Sequence, residues 1–240
     1  MEHSTGDAAA SPTSTPTKLS NPRWRPITEG RAVLLPLVVL TLATVLVFPP
    51  AALLVLLAAG AVVLAFRDPE RDIARRPNVA LAPADGRVIH VGPVWDAYWR
   101  AELVEIAIFL SLADVHIQRS PLDGEVVAQH RRAGGYRPAM GRAATHGNNQ
   151  LATYMRSAAG PCVVTQISGL VARRIVSWVG PGIRLAQGER LGMIKFGSQV
   201  TLRLPATAIV LVDVGDRVQA GLTPVAELEA VAPAPECPTR

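Results

Sequence analysis

Cysteine, lysine and aromatic residues are scarce in this chain of 240 residues. Its two cysteines, Cys162 and Cys237, cannot build a disulfide framework, and neither has the spacing of a metal-ligand set. Lysine occurs only at Lys18 and Lys195, so the positive charge is nearly all arginine. Arginine can clamp phosphates. No stretch is dense enough in charge for nucleic-acid binding, and the net charge of +5 is mild. Aromatics make up 5% of the chain, yet hydrophobic residues make up 49%, which excludes a mostly disordered protein. That apolar content is concentrated: residues 32–66 carry no charge, and the remainder has the texture of a soluble domain. One such region is too few for a multi-span transporter.

Residues 1–22, rich in Ser, Thr, Pro and Ala, read as a disordered tail. Residues 23–78 read as a membrane-associated hydrophobic hairpin with its linker. Ala32–Phe48 and Ala51–Phe66 are aliphatic and flank Pro49-Pro50. Each half is shorter than the roughly 20 residues of a spanning helix. Together they are long enough to enter a bilayer and return, with the prolines at the turn. Arg23, Arg25 and Arg31 precede the segment, with Trp24 suited to an interface; Arg67, Arg71, Arg75 and Arg76 follow it. Positive flanks on both sides place both ends in the cytoplasm. A single tilted span is the competing topology.

From residue 79 to 240, short Val-, Ile- and Leu-rich runs alternate with Gly, Pro and Asp turns, the pattern of a mainly β domain. The runs are 86–91, 104–110, 124–128, 162–167, 172–179, 190–195, 199–204 and 208–212. No strong helical period lies beyond the apolar segment. Pro83-Ala84-Asp85-Gly86-Arg87-Val88 is echoed by Pro121-Leu122-Asp123-Gly124-Glu125-Val126, each an Asp-Gly turn feeding a strand. Val179–Gly188 is echoed by Val214–Gly221, with turn glycines at both ends. Such Gly–Val hairpins resemble the lipoyl/biotinyl carrier and barrel-sandwich families. The expected fold is a mainly β, lipoyl-like barrel-sandwich domain behind an N-terminal hydrophobic helical hairpin.

Four phrases occur in order: Phe66-Arg67-Asp68-Pro69-Glu70-Arg71, Pro83-Ala84-Asp85-Gly86, Asp114-Val115-His116-Ile117-Gln118-Arg119-Ser120-Pro121, and Gly188-Glu189-Arg190-Leu191-Gly192-Met193-Ile194-Lys195-Phe196-Gly197-Ser198. Together they resemble the phosphatidylserine decarboxylase family, in particular its short, archaeal-type subclass. The resemblance implies that the chain makes its own cofactor. Ser198 would attack the carbonyl of Gly197, and the chain would break between them, leaving a pyruvoyl group derived from Ser198. Glycine permits a strained turn, and serine supplies both nucleophile and pyruvate carbons. A ketone that forms a Schiff base with the substrate amine gives an electron sink for decarboxylation, the part played elsewhere by pyridoxal phosphate. Outside that context a Gly-Ser pair is simply a turn between strands.

The resemblance makes His116 the acid–base candidate, for self-cleavage or for returning a proton to Cα. Longer relatives carry a second histidine three residues on, where this chain has Arg119. Asp85 either orients the base or holds a charge, or is no more than a turn residue. Asn148 and Asn149 are substrate-binding candidates too, since they occupy an Asn-rich stretch associated with the active site in the family, here without its acidic residue. Arg137, Arg173 and Arg174 are candidates for a lipid phosphate, with Arg173 the substrate-binding choice; solvated arginines are the bland alternative. His90, His130 and His146 receive no role.

The partners implied are phosphatidylserine in the membrane and the two chains of one precursor, held together because Arg190–Lys195 and Gln199–Leu204 are expected in one small sheet. The implied location is the cell membrane, with the catalytic domain on its cytoplasmic side. A non-enzymatic membrane-anchored adaptor with a lipoyl-like module explains the apolar segment and the Gly–Val hairpins equally well, and Lys195 would then be a modifiable lysine. It does not explain the Asp-Val-His and Phe-Gly-Ser phrases.

Overall fold

The computed structural model describes residues 25–47, 53–57, 59–60, 66–170, 174–194 and 197–229. The tail at 1–22, the Pro49-Pro50 turn, Arg173, Lys195 and Cys237 lie outside the described residues. Helix α1 (Arg25–Val47) carries Pro36 within it. Two of its hydroxyls are satisfied internally: Thr41 donates to the Leu37 carbonyl at 2.7 Å and Thr44 to the Leu40 carbonyl at 2.8 Å. That is how such residues are accommodated in apolar surroundings. Residues 53–57 and 59–60 are also helical. Among the described residues, no helix is long and apolar enough to cross a membrane.

The remainder is mainly β. In chain order the strands are β1 (Val79–Leu81), β2 (Gly86–Asp96), β3 (Ala101–Leu110), β4 (Ile117–Arg119), β5 (Gly124–Arg132), β6 (Gln150–Ser157) and β7 (Gly160–Ile167). They continue as β8 (Ile175–Ser177), β9 (Arg184–Leu185), β10 (Arg190–Ile194), β11 (Ser198–Pro205), β12 (Ile209–Val210), β13 (Arg217–Val218) and β14 (Pro224–Glu227). A short helix, α2 (Arg142–Gly147), precedes β6. A curled eight-stranded antiparallel sheet runs β13-β2-β3-β11-β7-β6-β5-β9. Two three-stranded sheets, β1-β14-β12 and β4-β10-β8, complete the domain.

Alternation along the strands decides what is buried. Ile106, Ile108, Leu110, Val200, Leu202 and Leu204 from β3 and β11 meet Leu191 and Ile194 of β10 in one apolar core. Burying a side chain of this size contributes roughly 1.5–3 kcal/mol. The thiol of Cys162 lies in the same core, where burial pushes its pKa up to about 12, so it is chemically inert.

Both internal repeats have structural counterparts. Gly86 and Gly124 open β2 and β5, and the segments ahead of them brace each other. Leu81 N–H donates to the Pro121 carbonyl at 3.0 Å, and Arg119 N–H to that of Pro83 at 2.9 Å. Gly188 and Gly221, which end the second pair of echoes, both have positive φ, and their N–H groups donate to Ser120 and Ala82.

One expectation is corrected. The strands flanking Gly197–Ser198 do not share a small sheet: β10 lies in the sheet with β4 and β8, whereas β11 lies in the eight-stranded sheet. The chain crosses from one sheet to the other at this point.

Candidate active site

Ser198 is the first residue of β11, opposite Leu110 of β3. It is fully buried, and its Oγ has no hydrogen-bond partner among the described residues. A buried polar atom without a partner is costly, and Ser168 Oγ and Thr201 Oγ1 share that condition nearby in the sheet and its loops. Gly197 stands before it at φ +50, a left-handed conformation that glycine adopts without a Cβ clash. Its carbonyl oxygen packs against Gly169, where a Cβ would collide with it.

His116 comes from the turn between β3 and β4 and is 1% exposed. Its Nε2 accepts a hydrogen bond from the Gly197 N–H at 3.1 Å. An accepting Nε2 assigns the proton to Nδ1. Burial lowers the imidazole pKa, while a hydrogen bond with the Asp114 backbone and the Asp114 carboxylate oppose that shift. The ring is therefore neutral at neutral pH and able to take a proton.

The rest of the Asp-Val-His phrase holds this histidine in place. The Asp114 carboxylate accepts from Ser111 N–H at 2.8 Å and Ser111 Oγ at 2.6 Å, and from Arg217. Gln118 donates to the His116 carbonyl at 3.0 Å and accepts from Gln166 at 2.8 Å. Ile194 N–H donates to the same carbonyl at 3.2 Å.

Asp85 is occupied elsewhere. Its two carboxylate oxygens take both terminal nitrogens of Arg71 at 2.7 Å, and Ala220 N–H adds a third bond at 2.7 Å. On His116 it acts as the smallest of the named charge effects. Arg119 is buried and donates to the Gly188 carbonyl at 3.0 Å and toward Asp68 at 3.4 Å. Burial and the neighbouring Arg190 pull its pKa down to about 10, so it stays charged at neutral pH. The position of a second histidine in longer relatives thus belongs here to an ion-paired cluster.

Asn148 is fully buried. Its amide accepts from Arg137 N–H at 2.9 Å and donates to the carbonyls of Arg137 at 2.8 Å and Ser168 at 2.7 Å. It fastens the loop at 137 to the loop at 168, beside Gly169. Asn149 contributes backbone bonds to Gly135 and Ser168. Arg137 and Arg174 are exposed, while Arg173 lies outside the described residues. Ser198, Gly197 and His116 come together; Asp85 joins a separate ion pair. Gly169, Gln118 and Gln166 were missed in the sequence. Gln118 sits inside the Asp-Val-His phrase and was the one legible signal.

The family model for phosphatidylserine decarboxylase matches residues 59–226. The chain belongs to the phosphatidylserine decarboxylase family. Among curated relatives, it is similar to a phosphatidylserine decarboxylase proenzyme of Aromatoleum aromaticum, with 43% identity over 70% of this chain and 78% of the relative. Proenzymes of the same name from Burkholderia multivorans and Burkholderia ambifaria are 40% and 41% identical, over 70% of this chain and 79% of theirs. In this member of the phosphatidylserine decarboxylase family, the matched region contains every strand of the β domain up to Ala226, and all of the site.

Proposed function

We propose that the chain is a proenzyme that cuts itself between Gly197 and Ser198 and then decarboxylates phosphatidylserine to phosphatidylethanolamine. The observation that carries this reading is the contact of His116 Nε2 with the Gly197 N–H, next to a buried Ser198 hydroxyl that has no partner among the described residues. The proenzyme name of the relatives agrees with it.

In this reading His116 gives up its contact with Gly197 N–H and takes the Ser198 hydroxyl proton as Oγ attacks the Gly197 carbonyl carbon. The peptide C–N bond breaks, an ester forms, and the amine of Ser198 is freed. Loss of the Ser198 Cα proton and cleavage of the Cβ–O bond release Gly197 as a carboxylate. Water then replaces the nitrogen, which leaves as ammonia, and residue 198 becomes a pyruvoyl group. The buried Oγ, without a partner among the described residues, and the left-handed Gly197 fit that origin. The ketone supplies Schiff-base chemistry with the substrate amine, and through it a sink for the electron pair left when CO2 departs. His116, freed from Gly197, holds the proton for Cα. Asp85 keeps the Arg71 segment folded against the domain, and the exposed arginines meet the lipid phosphate. The apolar segment attaches the protein to the cytoplasmic face of the cell membrane.

Intact-mass spectrometry of the full-length protein tests this. The expected result is a larger chain ending at Gly197 and a chain of residues 198–240 with a pyruvoyl terminus. Such protein releases CO2 from phosphatidylserine vesicles, and Ser198→Ala leaves one uncut, inactive chain. An active protein with an intact, uncut Ser198 would overturn the reading.

A further inference from the structure

Three loops surround Gly197–Ser198, and each ends in an apolar side chain held out to solvent. Leu112 is 58% exposed, Met140 68% and Leu170 61%. Their placement is fixed by contacts at the site. The Leu112 side chain lies 3.6 Å from where a Cβ on Gly197 would be. Ala139, the neighbour of Met140, lies 3.3 Å from the corresponding point on Gly169. Leu170 follows Gly169 directly. Asn148 fastens the 137 and 168 loops to each other. Packing does not call for these three side chains, and a clustered apolar rim marks an interaction surface.

Two further observations say what covers it. No carboxylate side chain occurs between Glu125 and Glu189, a stretch that supplies two of the three loops and contains eight arginines. In the third loop Asp114 is buried and taken up by Ser111 and Arg217. The 137 and 168 loops therefore bring no carboxylate to the apolar tip, and Arg137 is exposed beside Met140 in one of them, the complement of an anionic lipid surface. The apolar N-terminal segment also enters the domain here. Phe66 is buried with Val115 and Ile117, and Arg67 donates to the Ala113 carbonyl at 2.7 Å, next to Leu112. The part of α1 whose side chains are described presents Leu35, Val39 and Leu46 outward.

We propose that the mouth of the site is itself a lipid-docking surface, with Leu112, Met140 and Leu170 inserted among acyl chains and the surrounding arginines on anionic headgroups. The site then opens onto the membrane plane, and the headgroup reaches it without the lipid leaving the bilayer. This rests on the reading of the substrate as a phospholipid.

The test uses the full chain and the double variant Met140→Glu/Leu170→Glu. Self-cleavage and turnover of monomeric dihexanoyl phosphatidylserine should stay within about twofold of wild type, while turnover on phosphatidylserine-containing vesicles should fall at least about tenfold. Vesicle turnover within about twofold of wild type, or an equal fall on the monomeric substrate, would overturn the proposal. A second measurement does not depend on catalysis. A fluorophore on Met140→Cys, in a Cys237→Ser background, should be quenched by lipids brominated along their acyl chains. Quenching without any decarboxylation by the wild type would keep the docking surface and sink the substrate reading. Absence of quenching on vesicles that bind the protein would sink the docking surface alone.

Discussion

His116 Nε2 accepts the N–H of Gly197 at 3.1 Å, one peptide unit before Ser198. The histidine thus contacts the peptide unit that precedes the Gly197–Ser198 bond, and among the described residues the Ser198 hydroxyl has no partner. A neutral imidazole is what this contact requires, and burial is what keeps it neutral.

The pH dependence follows from that direction of shift. The folded His116 binds its proton less readily than an unfolded histidine with the ordinary value of 6.5. Its contribution to stability is therefore present above pH 6.5 and is lost as pH falls from there through the lowered folded value. Self-cleavage of freshly refolded precursor should hold a plateau at and above the ordinary histidine range and decline only below it. His116→Ala should slow it about a hundredfold or more. Cleavage that speeds up in acid would show that the imidazolium, not the neutral ring, is required.

Gly169 should matter for cleavage although it donates no chemical group. A methyl group there would meet the Gly197 carbonyl oxygen. Overpacking of this kind costs about 1–3 kcal/mol. Gly169→Ala should leave a folded precursor that cuts itself about tenfold or more slowly, followed by gel shift over time. An unaltered rate would mean that the 168 loop simply yields.

Asp85 and Arg71 should behave as one structural unit. Their side chains are only 11% and 7% exposed and bond at two points. Removing one partner of a buried pair costs about 3 kcal/mol or more. Asp85→Asn and Arg71→Ala should each lower Tm, and the double variant should lose less than the sum. If Asp85→Asn keeps its Tm yet fails to process, the carboxylate has a chemical role.

What the sequence made legible was local. Runs such as Val104–Leu110 and Cys162–Ile167 became β3 and β7 because β-branched and apolar residues fill both faces of a covered sheet. The Asp-Gly turns opened β2 and β5 for the same local reason. β6 was not legible: Gln150–Ser157 mixes Thr, Tyr and Arg with few aliphatic residues, and its strand state comes from pairing with β5 and β7. Nor does any residue announce that β10 and β11 join different sheets, since sheet membership depends on distant partners. In the site, Gly197, Ser198 and His116 were visible as motif residues. The hold of Arg71 on Asp85 spans residues 71 and 85, and that of Gln166 on Gln118 spans 118 and 166; only the fold brings these pairs together.

The place of the Gly197–Ser198 bond sets an order of events. β11 lies between β3 and β7, β13 pairs with β2, and β14 with β1, so these three strands from Ser198 onward pair with strands made before it. In the proposed reaction Ser198 acts while in register with Leu110, so folding would come first. While the chain is continuous, bringing Val79 to Glu227 is a matter of closing a loop, whose entropy cost grows slowly with length. After the proposed cut, the same strands would belong to two chains. A denatured mature enzyme would have to reassemble by collision, at a rate set by concentration. On the proposed reading the tether would serve as a built-in folding aid that the protein discards, and the assembled state would outlive the covalent link that made it easy to reach.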